Sequence, residues 1–262
     1  MIVIKYGGHA LPINGEPDTS LALLARKYQD GQKLVLVHGG GPQINAALAT
    51  RGLVGEMLGG YRKTTPEIFE VVQEVLSGQV LRSIVNQLIG LKVNAVGLSA
   101  SDGELIRAKQ MSVEINGNLV DIGLVGEVVA TKPDLLESLL QLGYLPVVSP
   151  IGVDESGQGL NLNADLVAGA VGGALKADRV LYMTDVDGIY RSWPDKSSLI
   201  DSISAAELEA LLPTFTEGMI PKVTSALSAL KAGAQAVRIF NGKDLVALER
   251  ALSDTGGTLV LP

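Results

Sequence analysis

What most constrains this chain is a repeated alternation, in which short runs rich in β-branched residues are followed by longer stretches with helical apolar spacing. Parallel strands need crossover connections and helices usually supply them, so this order predicts βαβ units around a largely parallel open sheet. Residues 2–5, 33–37, 94–98, 146–149, 179–183 and 236–240 read as strands. Residues 19–29, 43–51, 66–89, 133–142, 164–175, 205–211, 222–231 and 244–252 read as helices, with apolar positions three and four apart. Between residues 105 and 130 short alternating pieces surround Asn116-Gly117 and Gly123, which predicts antiparallel hairpins laid over the sheet as a lid. The expected fold is therefore α/β, a three-layer αβα sandwich. The stretch 66–89 is long for one helix, and its apolar positions suit either the core or a second subunit. A lobe boundary is expected near Leu175, dividing the chain into 1–175 and 176–262.

Composition narrows the function. With 21 basic and 28 acidic residues the net charge is −7, the wrong sign for a chain that coats nucleic acid or an anionic membrane. The absence of cysteine removes disulfides, thiolate metal sites and cysteine nucleophiles together. The opening apolar run reaches Lys5 too soon for a signal peptide, and no uncharged run approaches the ~18 residues of a membrane span, so a cytoplasmic protein is expected. Glycine is abundant at 31 residues of 262, while aromatic residues make up 4%, so close backbone approach is expected to matter more than stacking.

Three glycine clusters follow apolar runs: Lys5-Tyr6-Gly7-Gly8, His38-Gly39-Gly40-Gly41-Pro42 and Gly59-Gly60-Tyr61-Arg62-Lys63-Thr64. A single Gly pair means a tight turn, but three clusters at strand ends, each beside a cation or a helix start, point to an anion site built partly from backbone N–H groups. Neither a Walker P-loop nor a G-x-G-x-x-G dinucleotide motif is present. His9 and His38 stand beside glycines without a second ligand at zinc spacing, so no metal site is expected. In Asn161-Leu162-Asn163-Ala164-Asp165, Asn163 suits a helix N-cap, and Asp165 either favours the helix dipole or pairs with a lysine such as Lys222.

These segments, with Thr184-Asp185-Val186-Asp187-Gly188 and Glu217-Gly218-Met219-Ile220-Pro221-Lys222, resemble the N-acetyl-L-glutamate kinases of the amino-acid kinase superfamily, in order from residue 2 to about residue 235. The resemblance implies the amino-acid kinase fold and phosphoryl transfer from ATP to the side-chain carboxylate of N-acetyl-L-glutamate, in arginine biosynthesis. It implies that Lys5 and Lys222 neutralise phosphate charge, that Asp165 orients both lysines, and that Gly8 and Gly40 offer N–H groups to the phosphoryl in transit. By the same resemblance Gly40, Gly41, Arg62 and Asn161 bind the acceptor. Thr184, Asp185, Asp187, Gly188 and Ile189, with Lys5 and Lys222, lie near the nucleotide, and Mg²⁺ is held mainly by the nucleotide phosphates. The first lobe then takes acceptor binding and dimerisation, the second the nucleotide.

The chain departs from the family pattern at Gly97-Leu98-Ser99-Ala100-Ser101-Asp102-Gly103, where a lysine is usual, and at Phe240-Asn241-Gly242-Lys243, which replaces I-x-D-G-R. Two other readings remain: a kinase for aminoadipate or glutamate carried on a small protein, and a non-catalytic nucleotide-binding relative. The first strand begins at Ile2, leaving no upstream helix of the kind that builds hexamers in arginine-inhibited relatives, so an arginine-insensitive homodimer is expected.

Overall fold

The computed structural model describes residues 1–7, 18–215 and 219–262. Its first half runs β1 (Ile2–Tyr6), α1 (Thr19–Gln29), β2 (Leu34–His38), α2 (Gly41–Thr50), β3 (Met57–Leu58), β4 (Tyr61–Arg62), α3 (Pro66–Gln73), a π-helical segment Glu74–Val80, α4 (Leu81–Gly90) and β5 (Ala95–Ser99). There follow β6 (Ile106–Ile115), β7 (Asn118–Thr131), α5 (Asp134–Gln141), β8 (Leu145–Ser149), β9 (Ile151–Val153), β10 (Gly159–Leu162) and α6 (Ala164–Ala174). The chain closes with β11 (Arg179–Thr184), β12 (Ser202–Ser204), α7 (Ala205–Leu211), α8 (Ile220–Lys231), β13 (Val237–Asn241), α9 (Leu245–Leu252) and β14 (Thr258–Leu261).

Eight strands form the central sheet in the order β12-β14-β13-β11-β1-β2-β8-β5, parallel at every joint except β13 with β14. The alternation of β1 decides which face each residue serves: Ile2, Ile4 and Tyr6 join the core under α1, α3, α4 and α9, while Val3 joins the opposite core under α5, α6, α7 and α8. Lys5 is in phase with Val3, so it leaves the sheet on the α6 side. The result is the three-layer αβα sandwich expected from the alternation. Because β1 pairs with both β2 and β11, the sheet continues across residue 175.

The stretch 66–89 forms α3 and α4 with the π-helical turn between them; Pro66 opens it and the Thr65 side chain caps it by accepting from the Ile68 N–H. The apolar positions Ile68, Val71, Val72, Val75, Leu76 and Leu81 all enter the first core. The hairpin expected between residues 105 and 130 is β6–β7, but it is not a free flap. It closes with β9 and β10, which periodicity did not single out, into a four-stranded barrel. Among the described residues no helix is long and apolar enough to cross a membrane.

Helix α6 is made almost wholly of small and apolar residues, and its glycines explain why. A Cβ on Gly172 would collide with Val180 of β11, and one on Gly173 with Ala232 after α8. The helix is thus squeezed between strand and helix at backbone distance. Gly173→Val is expected to cost about 2–3 kcal/mol in urea unfolding. Gly90→Ala, which meets nothing within 4 Å at the end of α4, is expected to leave stability unchanged or slightly raised.

Candidate active site

In a parallel sheet the carboxyl ends of the strands share one edge, and here β1, β2, β8 and β11 deliver their following loops to it. β1 delivers Lys5 and Gly7; β2 delivers Gly39, Gly40 and Gly41, which open α2 with Pro42 in its first turn and no side-chain cap. Unpaired N–H groups at such a helix start attract an anion. Gly40 also has a packing reason to be glycine, since a Cβ there would lie 2.6 Å from Cδ2 of Leu76 in the π-helical segment.

A cavity of about 300 Å³ lies at this edge, and Lys5, Gly40, Gly41, Arg62, Asn161 and Asp165 all line it. Lys5 Nζ stands 3.2 Å from Asp165 Oδ1. Asp165 is held there because Asn163 caps α6, its side-chain oxygen accepting from the N–H of Asp165 at 2.8 Å and of Leu166 at 3.4 Å. Arg62 donates through Nη2 to Asn45 Oδ1 at 2.6 Å, while its buried Nη1 has no hydrogen-bond partner. Burial lowers the Arg62 pKa from its ordinary value, yet a guanidinium remains charged, so an anionic ligand would complete it. Asn161 donates through Nδ2 to Thr64 Oγ1 at 3.2 Å.

A second group gathers at the ends of β11 and β13. Lys222, in the first turn of α8, pairs with Asp185 at 3.4 Å. Thr184 Oγ1 lies 3.0 Å from the Val186 carbonyl and 3.1 Å from that of Phe240, tying β11 to β13. Asp187 accepts from Asn241 Nδ2 at 3.1 Å and from the Tyr190 hydroxyl at 2.9 Å, and these bonds hold its carboxyl below the usual range. The Ile189 N–H donates to Thr258 Oγ1 at 2.8 Å, and a Cβ on Gly188 would lie 2.5 Å from that same oxygen. Both residues are therefore seated against β14. Gly7 lies between the two groups: a Cβ there would be 3.1 Å from the Met183 carbonyl and 3.9 Å from Lys5 Nζ.

The residues singled out in the sequence thus fall into two clusters on one edge. Gly8, Gly218 and His9 lie outside the described residues. Asp165 meets Lys5, one of the two lysines it was expected to orient, and Lys222 carries an ion pair with Asp185, which follows a neighbouring strand. Leu76 also lines the cavity, and Asn45 and Thr64 hydrogen-bond Arg62 and Asn161; in the sequence Asn45 and Leu76 read only as ordinary helix residues.

The model of the amino acid kinase family matches residues 1–241. The chain belongs to that family. It is 43% identical over 264 residues to the acetylglutamate kinase of Corynebacterium glutamicum, covering 100% of this chain and 90% of the relative. Against the acetylglutamate kinase of Beutenbergia cavernae the identity is 44% over 269 residues, covering 100% and 85%. Among solved structures, N-acetylglutamate synthase from Neisseria gonorrhoeae complexed with coenzyme A and N-acetyl-glutamate superposes with TM-score 0.84 at 27% identity; all of this chain matches, spanning 59% of that one. Carbamate kinase from Giardia lamblia bound to AMP-PNP has TM-score 0.70 at 17% identity over 99% of this chain and 97% of its own, a likeness of fold.

In this member of the amino acid kinase family the one histidine among the described residues is neutral. His38 is fully buried at the end of β2, and burial pushes its pKa down from 6.5 to about 4, against a smaller upward pull from the Gly39 carbonyl 2.8 Å from Nδ1. The unfolded chain takes up a proton at this ring below pH 6.5 and the folded chain does not. His38 therefore leaves stability intact above pH 6.5 and erodes it as pH falls toward about 4, by at most about 1.4 kcal/mol per pH unit. Urea unfolding at pH 7 and pH 5 is expected to show the wild type losing about 2 kcal/mol more than His38→Gln; equal losses would remove His38 from the pH response.

Proposed function

We propose that this chain transfers the γ-phosphoryl group of ATP to the side-chain carboxylate of N-acetyl-L-glutamate, giving N-acetyl-L-glutamyl 5-phosphate and ADP in arginine biosynthesis. The observation that carries the reading is the Lys5–Asp165 pair at 3.2 Å in a cavity that also presents Arg62 and Asn161. The acetylglutamate kinases that match along the whole chain supply the acceptor.

The acceptor carboxylate is already ionised at neutral pH, so no general base is required. A carboxylate oxygen attacks the γ-phosphorus, the bond from that phosphorus to the β,γ-bridging oxygen breaks, and ADP leaves with the electron pair. Catalysis then consists of positioning and charge neutralisation. Lys5 supplies positive charge to the transferring group, and Asp165 keeps its ammonium in place. The N–H groups of Gly40 and Gly41, at the start of α2, face oxygens whose charge changes during transfer. Arg62 and Asn161 hold the α-carboxylate end of the acceptor, for which a planar guanidinium with an unused N–H edge is suited.

The nucleotide belongs at the second cluster, with Lys222 on its phosphates and Thr184, Asp185, Asp187, Gly188 and Ile189 forming the wall beside it. This assigns the acceptor to residues 1–175 and the nucleotide to 176–262. In this reading Mg²⁺ is a companion of the nucleotide phosphates. When bound it would neutralise their charge. A cytoplasmic homodimer completes the reading.

Trapping the acyl phosphate as a hydroxamate, with N-acetylglutamate, glutamate, aspartate and α-aminoadipate side by side, tests the acceptor; turnover is expected with N-acetylglutamate, and preference for another acceptor refutes the assignment. Asp165→Asn and Lys5→Ala are each expected to fold normally and to lower kcat about 100-fold or more. A melting shift without that loss would leave Asp165 as a helix-dipole residue only. Arg62→Ala is expected to raise KM for N-acetylglutamate roughly tenfold or more while leaving KM for ATP within about twofold.

A further inference from the structure

We propose that Thr64 is a positioning residue for the acceptor, whose hydroxyl holds Arg62 and Asn161 in register and decides which end of the Asn161 amide faces the cavity. The inference rests on reading Arg62 and Asn161 as acceptor ligands. Thr64 is fully buried. Its hydroxyl donates to the Arg62 carbonyl at 2.7 Å and accepts from Asn161 Nδ2 at 3.2 Å. Two residues 99 positions apart in numbering, 62 and 161, are thus joined through one oxygen atom.

The surrounding main chain makes that atom a fixed point. The Thr64 N–H donates to the Ile122 carbonyl at 2.8 Å, and the Leu124 N–H donates to the Thr64 carbonyl at 2.7 Å. Gly123, between them, has φ +75°, and a Cβ there would collide with the Thr64 carbonyl oxygen. Thr64 is therefore stitched to β7 on both sides. Arg62 ends a hairpin, β3–β4, of two residues per strand, too short to hold a side chain precisely by itself. Asn161 sits on β10, which pairs with β7 in parallel through Asn161 and Val125. Both ligands are referred to the same strand of the barrel, and the Thr64 hydroxyl is the side-chain link between them.

The direction of the bonds matters as much as their presence. A hydroxyl has one hydrogen, and with it committed to the Arg62 carbonyl the oxygen can only accept. The nitrogen end of the Asn161 amide must then face Thr64, because the carbonyl end would put two acceptors together. Nδ2 carries a second hydrogen, and Asn161 lines the cavity; this is the hydrogen assigned to the acceptor. Without the Thr64 hydroxyl the amide is free to turn its oxygen toward a carboxylate that needs donors. The penalty falls on acceptor binding, since neither Lys5 nor the nucleotide cluster depends on this bond.

Steady-state kinetics on Thr64→Val and Thr64→Ser, with melting curves on the same preparations, test the assignment. Thr64→Val is expected to raise KM for N-acetylglutamate about tenfold and to leave KM for ATP within about twofold, with Thr64→Ser returning the acceptor KM close to wild type. Asn161→Ala is expected to raise the acceptor KM in the wild-type background and to add little in Thr64→Val, the non-additivity of groups acting as one unit. If valine prevents folding, Thr64→Ala, smaller and equally without a hydroxyl, makes the same comparison. An unchanged acceptor KM, full additivity with Asn161→Ala, or a joint loss of ATP affinity and melting temperature that serine does not rescue would each overturn the role. Failure of the wild type itself to turn over N-acetylglutamate appears before any variant is made, and defeats the reading of function instead, taking this inference with it.

Discussion

The site depends on one ion pair across two secondary-structure elements. Lys5 can serve an anion only if its ammonium, on a side chain 16% exposed at a central strand, is held in place, and a carboxylate 3.2 Å away does this. Asp165 provides it because α6 begins at that place, and α6 begins there because Asn163 caps it. The helix can lie so near the sheet and α8 only where its residues are small; Gly172 against Val180 of β11 and Gly173 against Ala232 set those distances. The placing of one ammonium therefore reaches back through a cap, a helix and a pair of glycines to the packing of the sheet.

The sheet has the complementary role of bringing two chemical duties to one edge. From β1 the strands step one way through β2, β8 and β5, and the other way through β11, β13, β14 and β12. Right-handed crossovers in opposite directions place their helices on opposite faces, which is why α1 and α8 serve different cores. Loops diverge where the direction reverses, beside β1, and that is where Lys5 and Gly7 lie. Lys222 and Asp185 reach the same edge from the other side of this divide, so the edge carries a lysine paired with a carboxylate on each flank.

Much of the fold was legible in the chain because the alternation is a direct consequence of burial. Helices 19–29 and 205–211 have the bounds that apolar spacing predicts, and the six longer parallel strands differ by one residue at one end or both. The π-helical turn at Glu74–Val80 was not legible: Val75, Leu76 and Val80 keep facing the core, and apolar spacing is the only signal an ordinary helix would give. The barrel strands β9 and β10 have three and four residues, too few to show a period, and they become strands through partners far away in sequence. In the site, charge and glycine marked Lys5, Gly40, Arg62 and Asp165, since few other roles explain such residues at strand ends. Thr64 was legible only as the last residue of the glycine cluster at 59–64, because a threonine in a loop has many uses, and the pairing of Lys222 with Asp185 arises from which strands are neighbours.

The position of β14 bears on how the molecule is made. This strand, residues 258–261, lies between β13 and β12, both synthesised before it, and it is antiparallel to the one and parallel to the other. A nascent chain that has emerged from the ribosome as far as α9 already holds every strand from β1 through β5 and β8 in place to pair, but β12 has no neighbour to join. Thr258 moreover accepts from the Ile189 N–H and donates to the Ile200 carbonyl, so the loop after β11 gains these two bonds only when β14 arrives. Translation thus delivers β14 after both of the strands it joins, much as a keystone is set after the arch it locks.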